Sequence, residues 1–159
     1  HPIHPHGVAM LGKQVPNFEA PATGSTFKLA DHTGTTVVLY FYPKDNTPGC
    51  TTEGAQFRDA YPKFLKANAI VVGISRDTLQ SHENFKAKLD FPFELIADTD
   101  EKLCAEFDVI KMKNMYGKQV RGIERSTFVI DGTGKVVQAW RGVNVPSPVD
   151  EVRAYVKAS

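Results

Sequence analysis

A cysteine preceded by a polar, proline-containing loop is the feature of this sequence best suited to chemistry. The loop runs from Pro43 to Thr47, and Cys50 follows Thr47 by three residues. An apolar strand is predicted before the loop and a helix after it, so Cys50 lies in the first turn of that helix. Unpaired N–H groups and the positive end of the helix dipole there favour a thiolate over a thiol. Because a thiolate attacks peroxide oxygen, the sequence predicts redox chemistry at Cys50.

The same loop carries groups that could hold a small substrate beside Cys50. Thr47 is near enough to direct its hydroxyl at the same spot, and Pro43 and Pro48 restrict the backbone on either side. Hydrogen bonds from a hydroxyl, from backbone N–H groups and from a cation would bind a peroxide and stabilise charge on its departing oxygen. On composition alone another interpretation stays open, in which a Pro/Gly turn precedes a helix and Cys50 is a small buried residue.

Strand-like and helix-like stretches alternate from residue 11 onward. A turn over 31–34 predicts an N-terminal hairpin between residues 26–29 and a strand starting at 35, and a second hairpin is predicted around 132–135. Pro62 should kink the first helix or split it. The resulting α/β fold has a central mixed β-sheet flanked by helices, in the order that a thioredoxin-like core requires. Strands are predicted over 36–42, 69–75, 93–96, 126–131 and 136–141, and helices over 50–66, 79–89, 101–107 and from Ser147-Pro148 onward.

Length and composition limit the classes of function. The 159 residues fit one domain over 11–159, and 42% hydrophobic with 23% charged residues is typical of a globular protein. A net charge of +1 predicts neither nucleic-acid nor membrane binding. Two cysteines are too few for a disulfide framework and fit a reducing compartment, so a cytoplasmic location is expected if Met10 is the native start. Residues 1–10 are interpreted as an expression-tag remnant or a disordered arm, the alternative being a metal-binding arm.

The loop and helix also carry a family resemblance. Pro43, Thr47 and Cys50 match the peroxiredoxin signature PxxxTxxC, and the run YFYPKDNTPGCTTE over 40–53 resembles the peroxiredoxin Q subfamily, also called bacterioferritin comigratory proteins. The resemblance covers nearly the whole chain after Leu11. It continues through residues 73–77, 81–85, 114–118, 122–128 and 138–141.

The resemblance implies a thioredoxin-like fold and the reduction of hydrogen peroxide or organic hydroperoxides. By position, Cys50 becomes the sulfenic acid, Thr47 binds peroxide, and Arg125 corresponds to the active-site arginine. A guanidinium is always charged and can donate to both thiolate and peroxide. Glu53 is expected to hold Arg125 through a carboxylate–guanidinium pair. The residues alone leave two alternatives open, a surface arginine at a strand start for Arg125 and a first-turn acid for Glu53.

Both positions at which the subfamily often carries a resolving cysteine hold other residues. They correspond here to Ala55 and Lys86, and the second cysteine, Cys104, is interpreted as a buried core thiol rather than an unusual resolving one. The prediction is therefore a one-cysteine mechanism in which an external thiol reduces the sulfenic acid. Thioredoxin, glutaredoxin or glutathione is the expected reductant, and we expect a monomer without cofactor or metal.

Other functions use the same residues differently. A redox sensor or holdase, whose partner surface changes when Cys50 is oxidised, fits the same motif. A thioredoxin-type disulfide reductase is disfavoured because no CxxC motif is present. A metal enzyme is disfavoured because His32 and His82 are isolated in the sequence and predicted to be solvated.

Overall fold

A sheet of five strands separates two layers of packed side chains in the computed structural model, which describes residues 11–143 and 148–159. The four α-helices in those ranges are α1 (Pro48–Lys66), α2 (Leu79–Leu89), α3 (Lys102–Glu106) and α4 (Val149–Ala158), and a short 3₁₀ helix covers Leu29–His32. The strands are β1 (Glu19–Pro21), β2 (Thr26–Lys28), β3 (Thr36–Phe41), β4 (Ala69–Ser75), β5 (Glu94–Ala97), β6 (Ile110–Met115), β7 (Lys118–Ile123), β8 (Ser126–Ile130) and β9 (Val136–Arg141).

The central strand, β3, is buried on both faces. The order of the sheet is β5-β4-β3-β8-β9, with β3, β4 and β5 parallel and β8 and β9 antiparallel to their neighbours. Successive side chains of a strand point to opposite faces. Leu39 and Phe41 accordingly pack in one core layer, and Val38 and Tyr40 pack in the other, together with Cys50. This continuous apolar run is typical of a central strand covered by helices on both sides.

Helix α1, which begins beside the end of β3, packs closely on its surroundings. A Cβ atom added to Gly54 would overlap the ring of Phe91, so any larger residue there would displace either the ring or the helix. The helix continues through Pro62, so of the two predicted effects of this proline, a kink or a split, the split is not observed. Phe57 and Phe64, buried on either side of Pro62, hold the helix in place despite the hydrogen bond that a proline removes.

Most of the predicted elements are present, and the predicted fold class is confirmed. The predicted strands correspond to β3, β4, β5, β8 and β9 within one or two residues, and the predicted helices to α1–α4. The hairpin around 132–135 joins β8 to β9 as predicted. Two expectations fall outside the described residues: the arm over 1–10, and Ser147 as the first residue of the last helix, which here begins at Val149.

Two hairpins differ from the sequence prediction. An N-terminal hairpin exists, but β2 pairs with β1 rather than with β3, because the apolar β3 is taken up between β4 and β8. The β6–β7 hairpin was not predicted, since its strands are largely polar and exposed. Its turn has positive φ at Tyr116 and Gly117, the conformation of the favoured two-residue hairpin turns.

Candidate active site

Cys50 lies at the junction between the loop after β3 and the first turn of α1. It is the third residue of the helix, whose first backbone hydrogen bond runs from the Thr51 N–H to the Thr47 carbonyl at 2.9 Å. N–H groups at this end of a helix have no intrahelical acceptor and point toward the space in front of it. The Cys50 residue is 2% exposed, so a small molecule has far better access to its sulfur than a protein has.

Arg125 joins Cys50 to Glu53. Its Nη2 donates to the Cys50 Sγ at 3.3 Å, and its Nη1 lies 2.5 Å from the Glu53 Oε1. Burial works to lower the pKa of Arg125, but the negative charges of Glu53 and Cys50 outweigh it and leave that pKa above its ordinary value. The Glu53 side chain is fully buried and the Arg125 side chain is 13% exposed, so the three groups interact away from bulk water. In a buried ion pair of this kind, each charge offsets the cost of removing the other from water.

The loop between β3 and α1 is closed by its own hydrogen bond. The Thr47 hydroxyl donates to the Lys44 carbonyl at 2.8 Å, which leaves its lone pairs able to accept a hydrogen bond from a bound molecule. Asn46, in between, has φ of +63°, in the left-handed region. Pro43 is half-buried immediately after β3. The structure thus brings Cys50, Glu53 and Arg125 into contact and places Thr47 and Pro43 in the loop that leads to the cysteine.

A buried polar cluster on α2 lies behind this loop. The His82 side chain is fully buried, with Nδ1 2.7 Å from the Asp45 Oδ2 and Nε2 2.9 Å from the Ile96 carbonyl oxygen. The prediction that His82 is solvated was wrong, because its partners come from a loop and a strand far away in the sequence. His32 is half-buried and stacks on Phe27, with ring centroids 5.0 Å apart, so it is not an isolated solvated side chain either.

The same cluster contains a set of groups with the chemistry of metal ligands. Asp45, Asp77 and His82 each place one ligand atom within 4.8 Å of the others. Those atoms already accept or share protons, since the Asp77 Oδ2 accepts from the Asp45 N–H at 2.9 Å and from the Ser75 hydroxyl at 2.5 Å. The contacts therefore fit a hydrogen-bonded cluster held together by protons rather than a cation site.

Tyr40 is a neighbour of the site that the sequence analysis did not single out. It is buried and stacks on Phe57 of α1, with ring centroids 4.6 Å apart. Burial raises the pKa of Tyr40 well above its ordinary value, and the charges of Glu53 and Cys50 raise it further. Its hydroxyl is therefore a neutral group. The period-2 alternation of β3, which puts Tyr40 on the face covered by α1, is the signal that could have identified it.

Cys104 and Lys86 lie in surroundings unlike that of Cys50. Cys104 is fully buried, and the pKa of its thiol is raised, first by burial and then by a hydrogen bond with Asp98 and its negative charge. A thiol of this kind is inert. Lys86 on α2 forms an ion pair with Glu94 of β5, with Nζ and Oε1 2.6 Å apart.

Comparison with known proteins places this geometry in a family. The model of the AhpC/TSA family matches residues 11–139. The peroxiredoxin Bcp of Xanthomonas campestris is 53% identical over 94% of this chain and 96% of its own length. This chain belongs to the Bcp, or peroxiredoxin Q, subfamily of the peroxiredoxins. The peroxiredoxin Bcp of Bacillus subtilis is 45% identical over 92% of this chain and 94% of its own.

Solved structures of relatives agree with this assignment. A structure of Xanthomonas campestris peroxiredoxin Q, 54% identical, superimposes with a TM-score of 0.84 over 89% of this peroxiredoxin and 90% of that chain. A Xylella fastidiosa PrxQ variant, 48% identical, has a TM-score of 0.88 over 93% and 95% of the two chains. The resemblance found in the sequence is confirmed, and the chain is a thiol peroxidase of this subfamily. Within residues 11–143 and 148–159, no helix has the length and apolar character needed to cross a bilayer.

Proposed function

We propose that this peroxiredoxin reduces hydroperoxides through Cys50, with Arg125 and Thr47 holding the peroxide. The observation that carries the proposal is the Arg125 guanidinium, which lies 3.3 Å from the Cys50 sulfur while bound to the buried Glu53. A fixed positive charge at this position favours the thiolate and is ready for the charge that develops during O–O cleavage.

The first half-reaction transfers one oxygen to sulfur. The Cys50 thiolate attacks the nearer peroxide oxygen, and the O–O bond breaks. The bonding electron pair leaves with the far oxygen, which takes up a proton to become water or an alcohol. Sulfur is oxidised by two electrons to a sulfenic acid. Arg125 and the first N–H groups of α1 stabilise the leaving oxygen, and the Thr47 hydroxyl accepts a hydrogen bond from the peroxide.

Glu53 and Pro43 support these groups. Glu53 orients the Arg125 guanidinium, because a planar guanidinium bound through one nitrogen to a buried carboxylate has little freedom to turn its other nitrogen away from sulfur. Pro43 restricts the backbone where β3 ends, and so fixes the start of the loop that carries Thr47.

The second half-reaction uses an external thiol. Cys104 is fully buried, and Ala55 and Lys86 occupy the two positions at which the subfamily often carries a resolving cysteine, so the sulfenic acid at Cys50 meets a thiol only from solution. That thiol forms a mixed disulfide with Cys50 and releases water, and a second thiol then releases the reduced enzyme. Thioredoxin, glutaredoxin or glutathione has the chemistry required of the reductant.

Hydrogen peroxide and organic hydroperoxides are the proposed substrates. One solved structure of the Xanthomonas campestris relative, 54% identical to this chain, concerns the alkyl peroxide reduction activity of that protein. The Arg125 guanidinium, 3.3 Å from the Cys50 sulfur on a side chain that is 13% exposed, supports the same class of substrate here. We also propose that the protein acts as a monomer, formed by one domain over residues 11–159. Its two free thiols support a reducing compartment such as the cytoplasm.

Peroxide consumption by the wild type and two variants tests the proposal. Wild-type protein and Cys104→Ser should consume hydrogen peroxide with dithiothreitol or thioredoxin at similar rates, and Cys50→Ser should be inactive. Loss of turnover in Cys104→Ser would contradict the one-cysteine mechanism. Wild-type protein that forms a sulfenic acid without turnover under any of the reductants would favour the redox-sensor alternative.

A further inference from the structure

We propose that Asp45 and His82 are positioning residues of the peroxidase site, because their buried contact ties the loop before Cys50 to helix α2. The inference rests on the proposed function of Cys50 and adds two residues that touch neither sulfur nor peroxide. Its basis is the 2.7 Å distance between the Asp45 Oδ2 and the His82 Nδ1, with side chains that are 1% and 0% exposed.

A buried aspartate in a loop needs compensation for all of its polar atoms. The Asp45 Oδ1 accepts from the Tyr42 hydroxyl at 2.7 Å, and the Oδ2 accepts from the Ser81 hydroxyl at 2.8 Å. Its own N–H donates to the Asp77 Oδ2 at 2.9 Å. These contacts come from the segment just after β3, from the segment between β4 and α2, and from α2 itself, so Asp45 is held on several sides.

His82 extends this attachment to the sheet. Its Nε2 lies 2.9 Å from the Ile96 carbonyl oxygen, which can only accept, so Nε2 carries a proton. Its Nδ1 then shares one further proton with the Asp45 carboxylate. A single imidazole ring therefore connects the loop before Cys50 to strand β5, and the contact forms whichever of the two groups holds the shared proton.

The attachment matters because the residues directly after Asp45 lead into the site. Asn46 has φ of +63°, in the left-handed region that asparagine enters more readily than other non-glycine residues, and its backbone reverses direction between Asp45 and Thr47. Thr47 comes next, with its hydroxyl bonded back to the Lys44 carbonyl at 2.8 Å. Once Asp45 is released, the loop loses its buried attachment to α2, and both the Thr47 hydroxyl and the start of α1 lose their fixed position.

The test compares two reactions of Cys50 in matched variants. Oxidation by hydrogen peroxide needs the positioned hydroxyl and N–H groups, whereas alkylation by iodoacetamide needs only an accessible thiolate. We expect Asp45→Ala to slow oxidation by about 30-fold, since small misplacements of reacting groups have effects of this size. Its alkylation should be unchanged or faster. Asp45→Asn should stay within about threefold of wild type, because its amide can donate to Nδ1 and still accept from Tyr42.

Three further variants complete the design: Val136→Ala, His82→Ala and the double variant of Asp45 and His82. Val136→Ala, in the core layer on the other face of the sheet, controls for general destabilisation and should leave both rates unchanged. The double variant Asp45→Ala/His82→Ala should oxidise no more slowly than the more affected single variant, because either change alone already breaks the contact between Asp45 and His82. If Asp45→Ala does not fold, Asp45→Ser, which is also too short to reach His82, replaces it.

Several outcomes would overturn the inference. Oxidation in Asp45→Ala as fast as in the Val136→Ala control would do so, as would equal slowing of oxidation and alkylation. Equal losses in Asp45→Asn and Asp45→Ala would show that the charge matters rather than the contact. Each of these leaves wild-type peroxide reactivity intact, and so differs from failure of the proposed function, in which wild-type Cys50 itself would not react with peroxide.

Discussion

Arg125 donates a hydrogen bond to the sulfur of Cys50, although the two residues are 75 positions apart in the chain. The pairing of β3 with β8 explains this contact. Phe41 lies opposite Ser126 in that antiparallel ladder, so Arg125 emerges beside the loop that leaves β3. The end of one central strand and the start of its neighbour therefore form the two sides of the site, and the rigidity of the sheet sets the distance between guanidinium and sulfur.

Replacing Arg125 by lysine should slow the reaction with peroxide. Lysine keeps a positive charge but lacks the planar fork that contacts Cys50 and Glu53 at once. We expect a second-order rate constant for Cys50 oxidation lower by about 10- to 100-fold. Stopped-flow measurement of sulfenic acid formation checks it. The control is Arg58→Lys on the same helix as Cys50, where the arginine bonds to the Leu89 carbonyl instead. A rate in Arg125→Lys equal to that of the control would contradict the assigned role.

Glu53→Gln should weaken both stability and reactivity. The glutamine can still accept from Arg125, but the buried guanidinium loses the opposite charge that compensates it. We expect the free energy of unfolding to fall by about 1–3 kcal/mol, as for hydrogen bonds to charged groups. Urea denaturation gives this value, and peroxide kinetics on the same sample should show a reduced rate. Unchanged stability would mean that the pair contributes no net free energy.

Thr47→Val should lose activity that Thr47→Ser keeps. Valine has the shape of threonine without the hydroxyl, so it can neither bond to the Lys44 carbonyl nor accept from a peroxide. We expect a loss of about 100-fold in kcat/KM for hydrogen peroxide in Thr47→Val. Steady-state kinetics with a saturating reductant measure it. Similar losses in the valine and serine variants would assign the effect to packing by the threonine methyl group.

Peroxide should modify one of the two cysteines. Treatment of the reduced protein with one equivalent of hydrogen peroxide, without added thiol, should add one oxygen atom at Cys50 and leave Cys104 unmodified. Burial raises the pKa of the Cys104 thiol, so almost none of it is ionised at neutral pH. Peptide mass spectrometry locates the oxygen. Its appearance on Cys104, or a disulfide between the two cysteines, would contradict the one-cysteine mechanism.

Acid should remove one identifiable contribution to stability. Hydrogen bonds from Arg121, and then from Arg76, lower the pKa of Glu101 from 4.5 to about 2. A carboxyl group with a lowered folded-state pKa stabilises the fold above its unfolded pKa and loses this effect as the pH falls through the folded value. The free energy of unfolding of the wild type should therefore exceed that of Glu101→Gln by about 1 kcal/mol at pH 7. Solvent around Glu101 and its arginine partners keeps this difference small.

Urea denaturation at several pH values follows that difference. The difference between wild type and Glu101→Gln should be constant above about pH 5 and should shrink between pH 4.5 and about 2. A difference that does not change over this interval would show that the arginine contacts do not act through the ionised carboxylate.

Local sequence patterns predicted much of the fold and the position of the reactive cysteine. The apolar β3, the helix after it and the position of Cys50 all follow from residues near each other in the chain. The contact between Glu53 and Arg125 came from the family resemblance, since nothing local to Arg125 distinguishes it from an exposed arginine. The β6–β7 hairpin escaped prediction because polar strands lack the alternation of apolar residues by which strands are recognised.

His82 shows why the remainder could not be predicted. It stands among polar residues on α2, and residues of that kind usually face solvent. Its burial depends on Asp45 and the Ile96 carbonyl, which the strand order β5-β4-β3 brings together. A polar side chain such as His82 is buried only where the fold brings hydrogen-bond partners to it. Which partners these are depends on the topology of the sheet, which the local sequence does not show.

The burial of Cys50 affects its two reaction partners, a peroxide and a protein thiol, differently, because they differ in size. A peroxide, with two oxygen atoms at its reactive end, reaches a sulfur whose residue is 2% exposed, whereas a second protein bearing a thiol does not. We therefore expect the start of α1 to unwind before a mixed disulfide with such a partner forms. On the proposed mechanism, the frequency of that opening would place an upper limit on the turnover rate with protein reductants.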